Sequence, residues 1–174
     1  VAAVEPGAEL PAATTDVVVP GLANAHSHAF QRALSGRAEY STGQDTFWTW
    51  RRLMYALAAR LDADALEAIA GQLYTEMLCA GYTAVVEFHY VHRDLGDAQV
   101  SGAMYEALAR AAATAGIRLV YAPVLYERAD FDISRTTPEQ ARFAMSLDEY
   151  LAHVAWVADR VVAPNSIALA AHSL

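Results

Sequence analysis

The most informative segment of this chain is Gly21-Leu22-Ala23-Asn24-Ala25-His26-Ser27-His28, which follows the apolar run Val17-Val18-Val19. In a strand, alternate side chains share one face, so the imidazoles of His26 and His28 project the same way. Two imidazoles that enter one cavity form half of a first-row metal site. The alternative is a strand end with one histidine in the core and the other in solvent. The rest of the chain favours the metal site.

Strands and helices alternate along the chain. Asp62 is a favourable N-cap, Gly81 and Gly116 are favourable helix stops, and Ser146-Leu147-Asp148-Glu149 is a capping box. The β-branched residues of segment 82–90 are typical of a strand. The predicted strands cover residues 16–20, 22–28, 82–90, 117–125 and 167–172. The predicted helices cover residues 45–61, 62–81, 99–115 and 146–162.

This alternation predicts an α/β fold with a parallel sheet, because long helices connect successive parallel strands. A doubly wound open sheet and a (β/α)8 barrel both fit. No Gly-x-Gly-x-x-Gly motif follows a strand, so the dinucleotide-binding form of the open sheet has no support. Polar side chains instead gather at the carboxyl ends of the predicted strands, where barrel enzymes place their chemistry. They are His26, His28, Glu87, His89, Tyr90, Tyr126, Glu127 and His172.

The length of the chain limits how much of a barrel it can form. A full barrel takes about 250 residues, whereas this chain has 174 residues. We therefore expect residues 20–174 to form the N-terminal half of a barrel, with only the first four βα units. The chain also lacks an initiator methionine, which indicates that it begins within a longer protein.

The composition excludes several classes of partner. The formal net charge is −8, and no arginine-rich run is present to attract nucleic acid or an anionic membrane surface. No apolar run approaches the roughly eighteen residues of a membrane span, and the first residues lack the pattern of a signal peptide. The single cysteine, Cys79, excludes a disulfide framework and predicts a cytoplasmic protein.

Several motifs resemble the amidohydrolase superfamily, and one of its families in particular. The run from Pro20 to His28 is similar to the first metal-binding strand of the superfamily. Its continuation, Ala29-Phe30-Gln31-Arg32-Ala33, resembles the N-formimino-L-glutamate deiminases. Three further motifs match that family in order and spacing: Phe47-Trp48-Thr49-Trp50-Arg51 with Met54-Tyr55, Ala80-Gly81-Tyr82-Thr83 with Glu87-Phe88-His89-Tyr90-Val91-His92, and His172-Ser173-Leu174.

The resemblance implies a (β/α)8 metal-dependent hydrolase barrel with one zinc ion, for which His26 and His28 correspond to ligands. The family's substrate-binding positions correspond to Gln31, Arg51, Tyr90 and His172. The implied reaction is the hydrolytic deimination of N-formimino-L-glutamate to N-formyl-L-glutamate and ammonia in histidine degradation, with a zinc-activated water as nucleophile. The guanidinium of Arg51 suits this substrate because it offers a carboxylate two parallel donors.

The resemblance also implies parts that this chain does not contain. In the family, a third metal-binding histidine, a catalytic pair of histidine and glutamate, and a metal-binding aspartate lie on later barrel strands. We therefore assign no catalytic residue within this chain and expect it to be a fragment. The family also carries a small β-sandwich before the barrel, and residues 1–19 correspond to its closing part.

Two other functions stay open. One is a catalytically inactive, truncated half barrel that self-associates through its unpaired strand edges. The other is a related aminohydrolase that acts on a cyclic amidine, although Arg51 favours an acidic amino-acid substrate over a neutral base. The unpaired edges of a half barrel also predict a homodimer.

Four polar residues near these motifs receive structural predictions. His89 faces away from Tyr90 on the same strand, so we expect it to have a structural role. His92 is predicted to lie in a loop, and His153 on the surface of a helix. Glu87 shares a face with His89, where a buried carboxylate needs a partner such as an arginine. None of the four is assigned to the site.

Overall fold

The computed structural model describes residues 19–38, 47–129 and 136–172. Its strands and helices are β1 (Leu22–Ser27), α1 (Phe47–Ala58), α2 (Ala63–Cys79), β2 (Tyr82–His89), α3 (Ala103–Ala115), β3 (Arg118–Leu125), α4 (Leu147–Ala158), β4 (Ser166–Ile167) and β5 (Ala170–Ala171). Two 3-10 helices that the sequence did not predict cover Ala29–Leu34 and Pro138–Gln140. Most of the predicted strand at 16–20 and of the domain at 1–19 lies outside the described residues, so the domain boundary stays a prediction.

The strands form a parallel sheet that follows the order of the chain. β1 pairs with β2, β2 with β3, and β3 with both β4 and β5. The longest pairing aligns Val85 with Leu119 and Phe88 with Ala122. Sequential parallel neighbours with helices between them are typical of a (β/α)8 barrel, whereas a doubly wound sheet reverses its strand order. The prediction of a partial barrel is confirmed.

Two predicted helix caps are present. The carboxylate of Asp62 accepts a hydrogen bond from the Ala65 amide at 2.7 Å, which starts α2. Ser146 and Glu149 form the reciprocal capping box that starts α4. Side-chain acceptors at these points satisfy backbone N–H groups that have no partner within the helix. Local sequence therefore determines where both helices begin.

Three of the predicted helices and strands differ most from the structure. Helix α3 begins at Ala103 and not at residue 99, because Gly102 precedes it in the left-handed conformation. Helix α4 ends at Ala158, four residues before the predicted end at 162. The predicted last strand is divided into β4 and β5, which each pair with β3 over two residues.

The core lies between the sheet and its helices. Burial alternates along β2, and Val85, Glu87 and His89 lie on its buried face. Tyr74 of α2 and Tyr121 of β3 are fully enclosed in the core. Within the described ranges, no helix has the length and apolar composition needed to cross a membrane.

Two histidines are more buried than the sequence predicts. The prediction that His153 lies at the surface is wrong: its Nε2 accepts a hydrogen bond from the buried Tyr121 hydroxyl at 3.1 Å. His153 shares a helix face with the buried Val157, four residues further on. Burial lowers the pKa of His153 to about 4. His92 does lie outside the strands, but it is buried, and its Nε2 donates to the Val124 carbonyl at 2.9 Å.

The conformation of Gly102 leads to a prediction about stability. Its φ is +83°, and a Cβ at this position would lie 2.5 Å from the ring of Trp156. We expect Gly102→Ala to lower the free energy of unfolding by about 2–4 kcal/mol, because backbone strain and steric overlap both oppose the methyl group. Gly81→Ala is the matched control: φ is +90° but the space around its Cβ is open, so only about 1–2 kcal/mol is lost. Chemical denaturation measures both losses, and equal losses would contradict the packing argument.

Candidate active site

A cavity of about 720 Å³ lies at the carboxyl ends of the strands. All six residues that the sequence predicts for the site line this cavity: His26, His28, Gln31, Arg51, Tyr90 and His172. They lie on or directly after β1, β2 and β5, in the first 3-10 helix, and on α1. The fold therefore gathers side chains from distant parts of the sequence into one cavity.

His26 and His28 bring their ring nitrogens together in this cavity. The two Nε2 atoms are 3.0 Å apart. The Nδ1 atom of His28 donates a hydrogen bond to the Phe88 carbonyl at 2.7 Å, which leaves the lone pair of its Nε2 directed at His26. Burial lowers the pKa of His28, and the neighbouring His26 lowers it further, so the His28 ring is neutral at pH 7.

This geometry fits a metal ion held between the two rings. Two nitrogens bound tetrahedrally to one zinc ion, each at about 2.0–2.1 Å, lie roughly 3.4 Å apart. A hydrogen bond from the other ring nitrogen to a carbonyl is the usual way in which proteins orient a metal-binding imidazole. Among the described residues, no group of three or more His, Cys, Asp or Glu side chains could hold a metal ion. The described part of the chain therefore offers two imidazole nitrogens suited to a metal ion, and their role as ligands stays a prediction.

Gln31 and Tyr90 form a hydrogen-bonded pair beside His28. The Nε2 atom of Gln31 donates to the Tyr90 hydroxyl at 2.7 Å. The ring of Tyr90 lies edge-on to that of His28, with 5.2 Å between the centroids. Burial raises the pKa of Tyr90 well above its ordinary value, so the phenol stays neutral. The pair offers directed hydrogen bonds next to the histidines without adding negative charge.

Arg51 lies on α1 against two aromatic rings of the same helix. Its guanidinium carbon is 5.5 Å from the ring centroid of Trp48 and 5.2 Å from that of Tyr55. Its Nε donates to the Tyr55 hydroxyl at 2.6 Å. Within the part of the chain that the structure describes, no carboxylate pairs with Arg51. A guanidinium in this state suits an anionic group of a ligand.

His172 directly follows β5. Its backbone amide donates to the Leu125 carbonyl at 3.1 Å. Its ring centroid is 4.2 Å from that of Tyr126 and 6.0 Å from that of Tyr90. Burial lowers the pKa of His172, and the positive charge of Arg51 lowers it further. The ring is therefore a neutral group at pH 7 that can donate or accept a hydrogen bond.

Three residues at this site have no role that the sequence predicted: Tyr55, Tyr126 and Gln140. The two tyrosines line the cavity, and Gln140 lies behind them, where its amide donates to both hydroxyls. Tyr55 follows Arg51 by four residues, so helix periodicity was a usable signal for it. Gln140 lies in a three-residue 3-10 helix, and no local pattern pointed to it.

Glu87 contacts the backbone of the His26–His28 segment from the core. Its carboxylate accepts hydrogen bonds from the Ala29 amide at 2.6 Å and from the Tyr74 hydroxyl at 3.3 Å. The side chain of Ser27 is a third partner. Glu87 has the partners that a buried carboxylate was expected to need, but they are one backbone amide and two hydroxyls and not an arginine.

The fold and the cavity define the class of this protein. Parallel strands in chain order end at a cavity that holds a histidine pair from the first strand and polar side chains from later strand ends. This is the arrangement of a (β/α)8-barrel enzyme, which places its chemistry at the carboxyl ends of the strands.

Comparison with known proteins identifies the family. The sequence model that describes the amidohydrolase family matches residues 17–168, so the chain belongs to this family. It is 47% identical over 165 residues to a formimidoylglutamate deiminase of Pseudomonas aeruginosa, covering 90% of this chain and 36% of that protein.

Solved structures show the same fold. An amidohydrolase from Brucella melitensis matches with a TM-score of 0.78 and 35% identity, over 88% of this chain and 35% of that one. An atrazine chlorohydrolase from Arthrobacter aurescens TC1, solved in complex with zinc, matches with a TM-score of 0.66 and 20% identity, over 87% of this chain and 34% of that one. The chain thus spans about a third of the length of the proteins it matches.

Proposed function

We propose that the protein that carries this chain is a zinc-dependent deiminase that hydrolyses N-formimino-L-glutamate to N-formyl-L-glutamate and ammonia. The observation that carries this proposal is one cavity that holds both a histidine pair suited to a metal and the guanidinium of Arg51. Among the described residues, that guanidinium has no carboxylate partner. The similarity to a formimidoylglutamate deiminase supports the same substrate.

His26 and His28 would hold the zinc ion through their Nε2 atoms. When bound, zinc supplies a Lewis acid that polarises the substrate and lowers the pKa of a water toward neutrality. The chain contributes the orientation of the ligands: the Phe88 carbonyl fixes the tautomer of His28 and directs its Nε2 into the cavity. We assign no proton transfer to any described residue.

The other residues of the cavity would bind and orient the substrate. Arg51 suits one carboxylate of the glutamate part, because two parallel N–H donors match two oxygens. Gln31 and Tyr90 lie beside His28 and suit the formimino group. His172 lines the same cavity as a neutral ring beside Tyr126. Among these residues, Arg51 is the one that favours a small acidic substrate over a neutral ring.

We further propose that the protein is a cytoplasmic homodimer. Among the described strands, β1 lies at one edge of the sheet, and an unpaired strand edge favours self-association. Cys79 is an exposed free thiol, which suits a reducing compartment. Sedimentation analysis of the purified protein tests the dimer, and a monomer at micromolar concentration would contradict it.

The test of the proposed function is the turnover of formiminoglutamate by the zinc-loaded protein and by its Arg51→Ala variant. We expect the wild type to release ammonia from formiminoglutamate, and Arg51→Ala to raise KM by about 10- to 100-fold, because a hydrogen bond to a charged group is lost. Arg52→Ala removes a neighbouring exposed arginine that does not line the cavity, so it should leave KM unchanged. Turnover of a cyclic amidine, and not of formiminoglutamate, would replace the proposal with the alternative aminohydrolase.

A further inference from the structure

Behind the cavity wall, Gln140 joins two tyrosines that line the site. Its Nε2 donates to the Tyr126 hydroxyl at 2.9 Å and to the Tyr55 hydroxyl at 3.1 Å. Gln140 itself is fully buried and does not line the cavity. Both hydrogens of its amide nitrogen are therefore committed to side chains that face the site.

The orientation of this amide is fixed from its other end. The backbone amide of Thr137 donates to Oε1 of Gln140 at 2.8 Å, as part of the capping box at the N-terminus of this 3-10 helix. A flipped amide would place its nitrogen against that N–H donor and would leave both groups without a bond. The structure of the 3-10 helix thus directs the two N–H bonds of Gln140 at the tyrosines.

This orientation determines what the two hydroxyls can do. Tyr55 accepts from Gln140 and also from Nε of Arg51 at 2.6 Å, which fills both lone pairs of its oxygen. The Tyr126 hydroxyl lies next to it. Tyr126 accepts from Gln140 and from the guanidinium of Arg51, and the oxygen of Tyr55 is already filled, so the hydrogen of Tyr126 remains for a group in the cavity. Burial, followed by the neighbouring Tyr55, raises the pKa of Tyr126 to about 12, so this hydrogen is retained at neutral pH.

The result is a cluster of donors that no carboxylate among the described residues pairs with. The guanidinium of Arg51 donates from Nε to Tyr55 and also contacts the Tyr126 hydroxyl, which leaves its remaining terminal N–H groups for a ligand. Tyr126 adds one O–H donor beside this guanidinium. A carboxylate is the group that such a set recognises, because it only accepts and its charge balances that of arginine.

We propose that Gln140 is a positioning residue for carboxylate binding: it holds the hydroxyls of Tyr55 and Tyr126 so that Arg51 and Tyr126 together bind one carboxylate of the substrate. The proposal rests on the proposed function in one respect, since it assigns Arg51 to the same carboxylate. It adds Tyr126 as a substrate-binding residue and Gln140 as the residue that acts through it.

The experiment compares Gln140→Leu, Gln140→Glu and Tyr126→Phe with the wild-type protein loaded with zinc. We expect Gln140→Leu and Tyr126→Phe each to raise KM for formiminoglutamate about tenfold with kcat within about twofold, because one charge-assisted hydrogen bond is lost or misdirected. Gln140→Glu should raise KM further, because a carboxylate turns both hydroxyls towards itself and offsets the charge of Arg51. Gln72→Leu, the same change on the exposed face of α2, is the control and should leave KM unchanged.

Binding of glutarate, measured by calorimetry, tests the carboxylate site without turnover. Glutarate should bind the wild type and lose about tenfold in affinity in Gln140→Leu and in Tyr126→Phe. The double variant, which combines Gln140→Leu with Tyr126→Phe, should lose no more glutarate affinity than the single variant that binds glutarate more weakly, because both changes remove the same contact. An unchanged KM and an unchanged glutarate affinity in both single variants would overturn the proposal.

Two further outcomes separate this proposal from the proposed function. If the wild type binds glutarate in a Gln140-dependent way but does not hydrolyse formiminoglutamate, the carboxylate site stands and the substrate assignment fails. If zinc content, unfolding midpoint and kcat of Gln140→Leu fall together while Tyr126→Phe behaves as wild type, Gln140 is structural and the inference fails.

Discussion

Replacing His26 with alanine is expected to abolish zinc retention by the protein that carries this chain. The Nε2 atoms of His26 and His28 are 3.0 Å apart, so removal of one ring takes away one of the two ligands proposed in the described part of the chain. Loss of an outer-shell partner already costs about 10- to 100-fold in metal affinity, and loss of a ligand should cost more. Elemental analysis after dialysis measures the zinc content per chain, and deiminase activity should fall with it.

Two other histidines provide controls for this prediction. His172→Ala changes a ring in the same cavity that is proposed to bind substrate, so zinc should be retained while KM rises. His153→Gln removes a buried imidazole outside the cavity and keeps an acceptor for the Tyr121 hydroxyl, so zinc content should not change. Full zinc occupancy in His26→Ala would contradict the ligand assignment. Equal zinc loss in all three variants would show that the losses come from unfolding.

The residues of the cavity differ in how far the sequence could predict them. His26 and His28 share a strand face by the two-residue period of a strand, and the structure places their rings in one cavity. The same period separates Tyr90, which lines the cavity, from His89, which is buried in the core. Strand periodicity needs only the local sequence, which is why these placements were predictable.

Other features depend on contacts between distant parts of the chain. Gln140 donates to Tyr55, which lies 85 residues before it, and no local pattern records that contact. The helix face that His153 shares with Val157 was a usable signal for its burial, but its partner, the Tyr121 hydroxyl of β3, lies 32 residues away and no local pattern records that contact. Glu87 was expected to need a partner such as an arginine, and the structure supplies a backbone amide and two hydroxyls instead. Such partners are set by the packing of one element on another, and a single sequence does not specify them.

Replacing Glu87 with leucine is expected to destabilise the fold and to weaken zinc binding together. The carboxylate binds the Ala29 amide and the Ser27 side chain, which lie on either side of His28. Leucine would leave these groups and the Tyr74 hydroxyl without partners in the core, at a cost of about 3 kcal/mol or more. The adjacent Phe88 carbonyl orients His28, so movement of this strand end should also lower zinc affinity by about 10- to 100-fold.

Glu87→Gln is the matched control, because its amide keeps an acceptor for the Ala29 N–H and fills the same volume. Chemical denaturation of the metal-free proteins and zinc titration of the folded ones measure the two effects separately. We expect Glu87→Gln to bind zinc nearly as the wild type does. Wild-type zinc affinity in Glu87→Leu would show that this carboxylate does not position the histidines.

The same pair of proteins gives a prediction about pH. Burial raises the pKa of Glu87 from 4.5 to about 7, so between these values the folded protein holds a proton that the unfolded chain releases. The contribution of this carboxyl to stability is therefore complete below about pH 4.5 and is lost as the pH rises through 7. Relative to the wild type, Glu87→Gln should gain about 3 kcal/mol in unfolding free energy between pH 4 and pH 8.

The buried histidines have the opposite pH dependence, but they cancel in this comparison. Burial lowers the pKa of His89 to about 3 and that of His153 to about 4, so each destabilises the fold as the pH falls below about 6.5. Both proteins carry these histidines, and the difference between their unfolding free energies isolates Glu87. A difference that does not change with pH would mean that the carboxyl of Glu87 titrates alike in the folded and unfolded states. The hydrogen bonds from Ala29, Ser27 and Tyr74 would then offset the cost of burying its charge.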